Sequence, residues 1–204
     1  MAANSDGESG PLPAPRWPLT RERWGQRNSA AARNRPFAIR ARWSISLLMP
    51  SPVPPNAAPP RLFDRERVAR NRSRAAANFS EYDFLKARVS SDIADRLADT
   101  SHSFDRAFDL GTHDGQLARR VQASGKVGTI EAGDLSHGMV ALSRTAGLQA
   151  QVLDEEHLPF ERASLDLIVS ALSLHWVNDL PGALVQIRQA LKPDGLFLGA
   201  LFGA

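Results

Sequence analysis

The sequence contains no cysteine, which removes several kinds of chemistry at once. It can form no disulfide, supply no thiol nucleophile and build no cysteine-ligated zinc or iron–sulfur site. Its five histidines are scattered without paired spacing, so no metal site is predicted. No apolar run approaches the roughly 18 residues that a membrane-spanning helix needs, so no transmembrane segment is predicted.

Lysine is absent from the first 60 residues, although eight arginines and only three acids occur there. Residues 61–204 carry a net charge of −2, so the excess of positive charge belongs to the N-terminal segment. A basic nucleic-acid-binding face is therefore not predicted for the rest of the chain.

Residues 1–60 also hold eleven of the 14 prolines, and they show neither a helical nor a strand period. This composition predicts a disordered Pro/Arg-rich segment. Three alternatives remain open for it. An Arg-rich, acid-poor segment resembles a mitochondrial transit peptide; Met49 could be the natural start; or the segment could be a functional basic arm.

Residues 61–100 are predicted to form N-terminal helices, and residues 101–204 a ligand-binding core. The first helix, in residues 61–80, is basic and is predicted to be a lid or packing helix; alternatively, Arg70, Arg72 and Arg74 meet an acidic partner. A second helix at 82–98 is predicted to pack on a sheet through apolar residues at helical spacing, namely Phe84, Leu85, Val89, Ile93 and Leu97.

From about residue 105, short apolar runs alternate with helical patterns. Strands are predicted near 106–110, 127–133, 149–153, 165–171 and 195–202, and helices near 115–123, 136–145 and 179–191. Only residues 154–164 separate the third and fourth strands, so a helix is missing or very short there. Strands alternating with helices predict an α/β fold with a doubly wound, mostly parallel sheet.

The stretch AFDLGTHDGQLARRVQASGKVGTIEAGD, residues 107–134, is the most informative part of the chain. A glycine turn with Gly111 and Gly115 follows the first strand, and Asp134 ends the second, where a carboxylate can accept from both ribose hydroxyls. A phosphate-binding turn would avoid acids, whereas Asp109 and Asp114 flank this one. The pattern therefore favours a positively charged nucleoside ligand, S-adenosylmethionine, over NAD or ATP.

Other polar residues follow the later strands. Ser136 is predicted to cap the next helix, which leaves Asp134 for the ligand. Asp154 and Glu155 follow the third strand, where a carboxylate can accept from an adenine amino group. His175 could be a general base or a structural residue. Ser173 has no evident base, so it is not predicted to be a nucleophile.

Three strings carry a family resemblance: FDLGTHDGQLARR, GDLSHGM, and VLDEEHLPFERASLDLIVSALSLHWVNDLPGALVQIRQALKPDGLFLGALFG. They resemble the class I S-adenosylmethionine-dependent methyltransferases of the type-11 group. Within the group, LSLHWVNDLPGAL and LKPDG, together with LFDRERVARNR and YDFLKARVSSDIADRL upstream, resemble a methyltransferase-like branch linked to respiratory complex I assembly and its alphaproteobacterial relatives. The malonyl-carrier-protein O-methyltransferases of biotin synthesis are a weaker match.

The resemblance implies S-adenosylmethionine as cofactor and a Rossmann-like core. It places Asp109, Gly111 and Gly115 at the methionine end, Asp134 at the ribose, and Asp154 with Glu155 at the adenine. The full predicted cofactor-binding set is Asp109, Gly111, Thr112, Gly115, Asp134, Leu135, Asp154, Glu155 and Ser170, with no catalytic residue assigned. Two departures from the family pattern stand out: His113 replaces the usual middle glycine of the turn, and the chain is expected to be truncated after the fifth strand.

Three functions follow from the resemblance. The first is methyl transfer to an unidentified protein or small-molecule acceptor, with a complex I subunit as one candidate. The second is arginine hydroxylation by a protein that binds S-adenosylmethionine, and the third is a non-enzymatic assembly role. The expected location is the bacterial cytoplasm, with the mitochondrial matrix or the periphery of the inner membrane as the alternative.

Overall fold

Five strands form one sheet in which all neighbouring pairs are parallel. The computed structural model describes residues 61–203, which lie within the compact unit Val53–Ala204. The strands are β1 Phe104–Leu110, β2 Val127–Asp134, β3 Gln149–Val152, β4 Leu165–Ala171 and β5 Leu191–Ala200, in the order β3-β2-β1-β4-β5. The predicted α/β parallel sheet is confirmed.

The predictions for residues 1–60 lie outside the described residues. The division of the chain into three parts stays a prediction.

The five α-helices of the described residues are α1 Arg65–Ala75, α2 Phe84–Ala98, α3 Gln116–Ala123, α4 His137–Thr145 and α5 Leu180–Ala190. Short 3-10 helices span Ala76–Glu81 and Leu174–Trp176, and no helix joins β3 to β4. The Ser136 hydroxyl accepts from the Met139 amide at 3.2 Å, which confirms the predicted cap of α4. Asp179 caps α5 in the same way, by accepting from the Gly182 amide at 2.9 Å.

The sheet is buried on both faces because its strand residues alternate between two apolar clusters. On one face, Leu167 and Val169 of β4 pack with residues of α2 and α3. On the other face, Ile168 packs with residues of α5, including Ile187. The helices therefore cover the two faces and leave the carboxyl ends of the strands as an edge between them.

Helix α2 does not pack entirely as the sequence predicted. Phe84 is 78% exposed and Leu85 is 40% exposed, so their predicted burial is wrong. The buried face consists of Lys86, Ser90, Ile93 and Leu97. Only the C-terminal part of α2 packs through apolar residues as predicted. In its first turn, Lys86 is buried at the carboxyl edge of the sheet in place of an apolar residue.

Strand β5 is assigned from Leu191, four residues before the predicted start. Its pairing with β4 changes register between Leu191 and Leu196, and Asp194 has a φ of +66°. Residues 192–195 therefore form an irregularity within β5. Within residues 61–203, no helix is long and apolar enough to span a bilayer.

Candidate functional site

The strand order creates a natural ligand crevice. From β1 the chain builds outward through β2 and β3 on one side, then crosses to β4 and β5 on the other. In open α/β sheets, ligands bind outside the carboxyl ends of the strands at such a switch point. The candidate site therefore lies beyond the ends of β1 and β4, with the end of β2 beside it.

The turn after β1 approaches its surroundings very closely. Gly111 has a φ of +71°, and a Cβ added there would overlap the Ser173 side chain and lie 3.2 Å from a Glu155 oxygen. The amides of Gly111 and Thr112 both donate to the Gly133 carbonyl, at 2.8 and 2.9 Å. The turn is thereby held against the end of β2, and only glycine fits at its first position.

The acids that flank the turn use the amides that a phosphate would need. Asp109 is fully buried, and its Oδ2 accepts from Thr112 Oγ1 at 2.6 Å and from the Ala118 amide at 3.1 Å. Asp114 Oδ1 accepts from the Gln116 amide at 3.3 Å. Burial raises the pKa of Asp109 despite the opposing effects of Lys86 and Thr112. The first turn of α3 is therefore not a free anion site.

Asp134, fully buried at the end of β2, is the centre of the acidic group. Its Oδ2 accepts from the His113 amide at 3.0 Å, and its Oδ1 from the Ser136 amide at 2.9 Å. Arg72 of α1 donates to the same Oδ1 from 3.2 Å. A carboxylate that the sequence assigns to a ligand thus contacts a guanidinium from the same chain.

Glu155, beyond the end of β3, is also fully buried. Its Oε1 accepts from Arg72 Nη1 at 2.9 Å and from Ser173 Oγ at 2.7 Å. Arg65 binds both Glu155 and Asp154, with Nη2 lying 2.6 Å from Asp154 Oδ1. Burial raises the pKa of Glu155, but Arg72, Arg65 and the Ser173 hydrogen bond outweigh burial and lower it.

Lys86 brings a third positive group to this edge. Its Nζ, on a side chain that is 95% buried, donates to the Ala171 carbonyl at 2.7 Å and to the Gly111 carbonyl at 3.2 Å. Burial lowers the pKa of Lys86, while Asp109 and Asp134 oppose that shift. The lysine therefore sits between the ends of β1 and β4, at the switch point of the sheet.

His113 replaces the usual middle glycine of the turn and adopts a φ of +56°. Its ring stacks on Phe79 with centroids 5.6 Å apart, and its Nδ1 lies 3.0 Å from Lys86 Nζ. Burial, followed by the charges of Lys86 and Arg72, holds the pKa of His113 well below its ordinary 6.5. The imidazole is therefore neutral at pH 7.

The other predicted site residues have different surroundings. Ser170 is buried, and its hydroxyl donates to the Leu110 carbonyl at 2.8 Å, which ties β4 to β1. Leu135 is half-buried. Gly115, with a φ of +79°, faces Leu148 and permits the start of α3. Arg72 contacts both Asp134 and Glu155, and Arg65 contacts both Glu155 and Asp154, so these three acids lie close together. Asp109 instead accepts a hydrogen bond from Thr112 within the turn.

His175 and Ser173 lie between β4 and α5. His175 Nδ1 is buried without a hydrogen-bond partner, and the ring contacts Trp176 and Phe202. Burial and the charge of Arg72 lower the pKa of His175. Ser173 has a buried carboxylate and a guanidinium as partners, which positions the hydroxyl without activating it.

Two residues of this site, Arg65 and Lys86, were not singled out by the sequence analysis. Arg72 was noted for a possible acidic partner, but nothing in the sequence indicated that the partner lies in the same chain. Lys86 was not predicted to be buried, because a lysine in a helix usually faces solvent. The available signal was its spacing from Ser90, Ile93 and Leu97, which puts it on the buried face.

An open hollow of about 680 Å³ adjoins the acidic group at the start of α1. Arg65, Asp154, Glu156 and Asn178 are among the residues that line it. Nowhere in residues 61–203 do three metal-ligating side chains cluster.

Residues 108–199 match the family model described as a methyltransferase domain. The mouse protein named "Arginine-hydroxylase NDUFAF5, mitochondrial" is 43% identical over 161 residues, which cover 75% of this chain and 47% of that protein. The malonyl-[acyl-carrier protein] O-methyltransferase of Geobacter sulfurreducens is 34% identical over 147 residues, covering 70% and 55% respectively. The chain thus spans about half the length of the curated relatives it matches.

Among solved structures, a complex of the Haloferax volcanii Trm112 methyltransferase activator with its methyltransferase partner is similar. It aligns with a TM-score of 0.59 and 26% identity, covering 65% of this chain and 60% of that one. The family model, the relatives and the sheet order agree with one another. Residues 108–199 form a methyltransferase domain, built on the Rossmann-like fold of the class I S-adenosylmethionine-dependent methyltransferases.

Proposed function

We propose that this chain binds S-adenosylmethionine at the carboxyl edge of the sheet and transfers its methyl group to an acceptor. One observation carries the proposal. Asp134 and Glu155 converge closely enough to share the guanidinium of Arg72, while the amides at the start of α3 are already taken by Asp109 and Asp114. Such a crevice favours a cationic nucleoside over a pyrophosphate.

The residues present fit S-adenosylmethionine. Asp134 is the carboxylate for the ribose hydroxyls, and Gly111 lets the turn lie directly against Ser173 and Glu155 at the same edge. Asp154 borders the 680 Å³ hollow, where an adenine amino group can donate to it. Lys86 offers an ammonium to the carboxylate of the cofactor.

The cofactor supplies an electrophilic methyl group when it is bound. The chain itself contributes binding, orientation and exclusion of water, which are sufficient for displacement at a methyl group. Buried carboxylates fix the position of the ligand, and the neutral His113 and His175 add no positive charge beside it. No residue is proposed to transfer a proton.

Calorimetric titration with S-adenosylmethionine tests the proposal. Wild-type protein is expected to bind, and Asp134→Asn to bind about tenfold to a hundredfold more weakly, because a charge-assisted hydrogen bond contributes about 1.5–3 kcal/mol. Asp166→Asn is the matched control, since Asp166 pairs with Lys192 at the opposite end of β4 and its loss leaves the crevice intact. Equal affinity in both variants would contradict the proposal.

A second candidate is hydroxylation of an arginine side chain. The printed name of the mouse relative describes that activity, and the acids of this site hold two guanidiniums, those of Arg65 and Arg72. Mass spectrometry of an arginine-containing peptide distinguishes the two reactions after incubation with S-adenosylmethionine, and separately with molecular oxygen and a two-electron reductant, which a hydroxylation requires. A methyl transfer adds the mass of one CH₂ group, and a hydroxylation adds the mass of one oxygen atom.

A binding role without turnover is the third candidate, and it predicts cofactor affinity with neither mass change. The acceptor is proposed to be a protein or a small molecule, and a complex I subunit is one candidate because of the resemblance described in the sequence analysis. Malonyl-carrier protein is another candidate acceptor, because the printed name of the Geobacter relative includes it. Two locations fit this proposal: the bacterial cytoplasm, favoured by the sequence analysis, and the mitochondrial matrix. Cell fractionation of the source organism distinguishes them.

A further inference from the structure

Arg72 uses the acceptor atoms that a ribose would need. Its guanidinium contacts Asp134 Oδ1 at 3.2 Å, Glu155 Oε1 at 2.9 Å and Ser173 Oγ at 2.9 Å, and the residue is 8% exposed. An ionised carboxylate offers about four acceptor positions. Three of those on Asp134 are filled by Arg72 and the amides of His113 and Ser136, so a pair of ribose hydroxyls cannot both be accommodated.

Helix α1, which carries Arg72, is attached by polar contacts. Arg72 is its only buried residue, and Arg65 at its start pairs with Asp154 and Glu155. Beside Arg72, Ser73 Oγ lies 2.8 Å from Ser136 Oγ. An interface with little buried apolar side chain gains little from the hydrophobic effect, and its buried ion pairs contribute little net stability when another cation takes the place of Arg72 on the same carboxylates.

Helix α2, which carries Lys86, is attached differently. Ile93 and Leu97 lie in the apolar core, so this helix stays in place when α1 moves. Lys86 therefore remains between the ends of β1 and β4 in both arrangements and keeps positive charge beside Asp109 and Asp134.

We propose that Arg72 is an intramolecular competitor of the cofactor. With α1 docked, its guanidinium takes the place of the positively charged ligand on Asp134 and Glu155, and S-adenosylmethionine binds only when α1 has left the crevice. This inference rests on the proposed cofactor binding. It adds that the wild-type protein has a lowered apparent affinity, because the measured dissociation constant equals the intrinsic constant of the open form divided by the open fraction.

Calorimetric titration of Arg72→Met with S-adenosylmethionine tests the competition. Removal of the competitor is expected to tighten binding by about tenfold or more. Arg70→Met is the matched control, since Arg70 is exposed on the same helix and pairs only with Glu66. It is expected to bind as wild type does.

The outcomes separate this inference from the proposed function. Weaker or unchanged binding in Arg72→Met, with normal wild-type binding, overturns the competition and leaves the cofactor assignment standing. Absence of binding in wild type and in both variants overturns both. Circular dichroism and thermal unfolding establish that each variant is folded.

Hydrogen–deuterium exchange of the wild-type protein gives a test that needs no variant. Saturating S-adenosylmethionine is expected to speed exchange of the amides in Arg65–Ala75 and to leave those around Ile93 unchanged. Slower exchange in α1 would mean that this helix closes over the ligand with Arg72 in place, and the inference would be wrong.

Discussion

Single side chains at the ends of β1, β2 and β3 set the character of this site. Asp109, Asp134 and Glu155 are fully buried, and each has positive or hydrogen-bonding partners that offset part of the cost of burial. Gly111 has to be glycine because of the space around it, and Asp134 is held in place by the charged and polar groups around it.

Gly111→Ala is expected to destabilise the fold more than Gly125→Ala does. The two glycines have φ of +71° and +69°, so each alanine acquires similar backbone strain, about 1–2 kcal/mol. A Cβ at Gly125 meets nothing within 4 Å, whereas one at Gly111 overlaps Ser173, which adds about 1–3 kcal/mol. Urea unfolding measures both. Equal losses would show that the turn is not tightly packed.

His113 is expected to make the protein less stable as the pH falls below about 6.5. Its pKa in the fold lies well below that value, so the unfolded chain takes up a proton that the folded chain does not. The stabilisation is fully present above pH 6.5 and declines by up to about 1.4 kcal/mol per pH unit below it. Urea unfolding of wild type and His113→Asn between pH 7 and 5 measures the difference. Parallel curves would contradict this account.

At this scale the sequence predicts the acids but not their partners. Asp134, Asp154 and Glu155 follow apolar runs, and strand ends meet at one edge, so their proximity follows from the fold. Arg72 and Lys86 lie 62 and 25 residues from Asp134 and Gly111, their respective contacts. No local period encodes such a contact, because it depends on how α1 and α2 pack on the sheet.

The elements divide into those held by apolar packing and those held by charge. Strands β1 and β4 and helices α2, α3 and α5 contribute the apolar core, whereas α1 buries only Arg72. The strands and helices α3 to α5 could be predicted from the spacing of apolar residues along the sequence. Ser136 and Asp179 also mark the starts of α4 and α5 as N-cap residues. The buried face of α2 was only partly predictable, because Lys86 interrupts its apolar stripe.

Leu97→Ala is expected to cost about 2–5 kcal/mol of unfolding free energy, because Leu97 is fully buried against the sheet. Leu85→Ala, in the same helix, is expected to cost less than about 1 kcal/mol, since Leu85 is 40% exposed. Urea denaturation of both variants ranks them. The reverse order would place the packed face of α2 elsewhere.

The whole molecule combines a methyltransferase core with an N-terminal helix whose arginines occupy its acidic crevice. The fold follows from strand order, which composition and period predict well. The family resemblance was recognisable chiefly from the block that runs from β4 to β5, since the glycine turn alone is not specific. The occupation of the crevice by α1 could not be predicted from the sequence. It depends on a competition between α1 and a ligand for the same carboxylates.

Side-by-side titration of the intact protein with S-adenosylmethionine and with NADH tests the central claim that carboxylates, and not free helix amides, line the crevice. We expect saturable binding of S-adenosylmethionine and no binding of NADH at the same concentrations. Saturable binding of NADH without binding of S-adenosylmethionine would contradict the account.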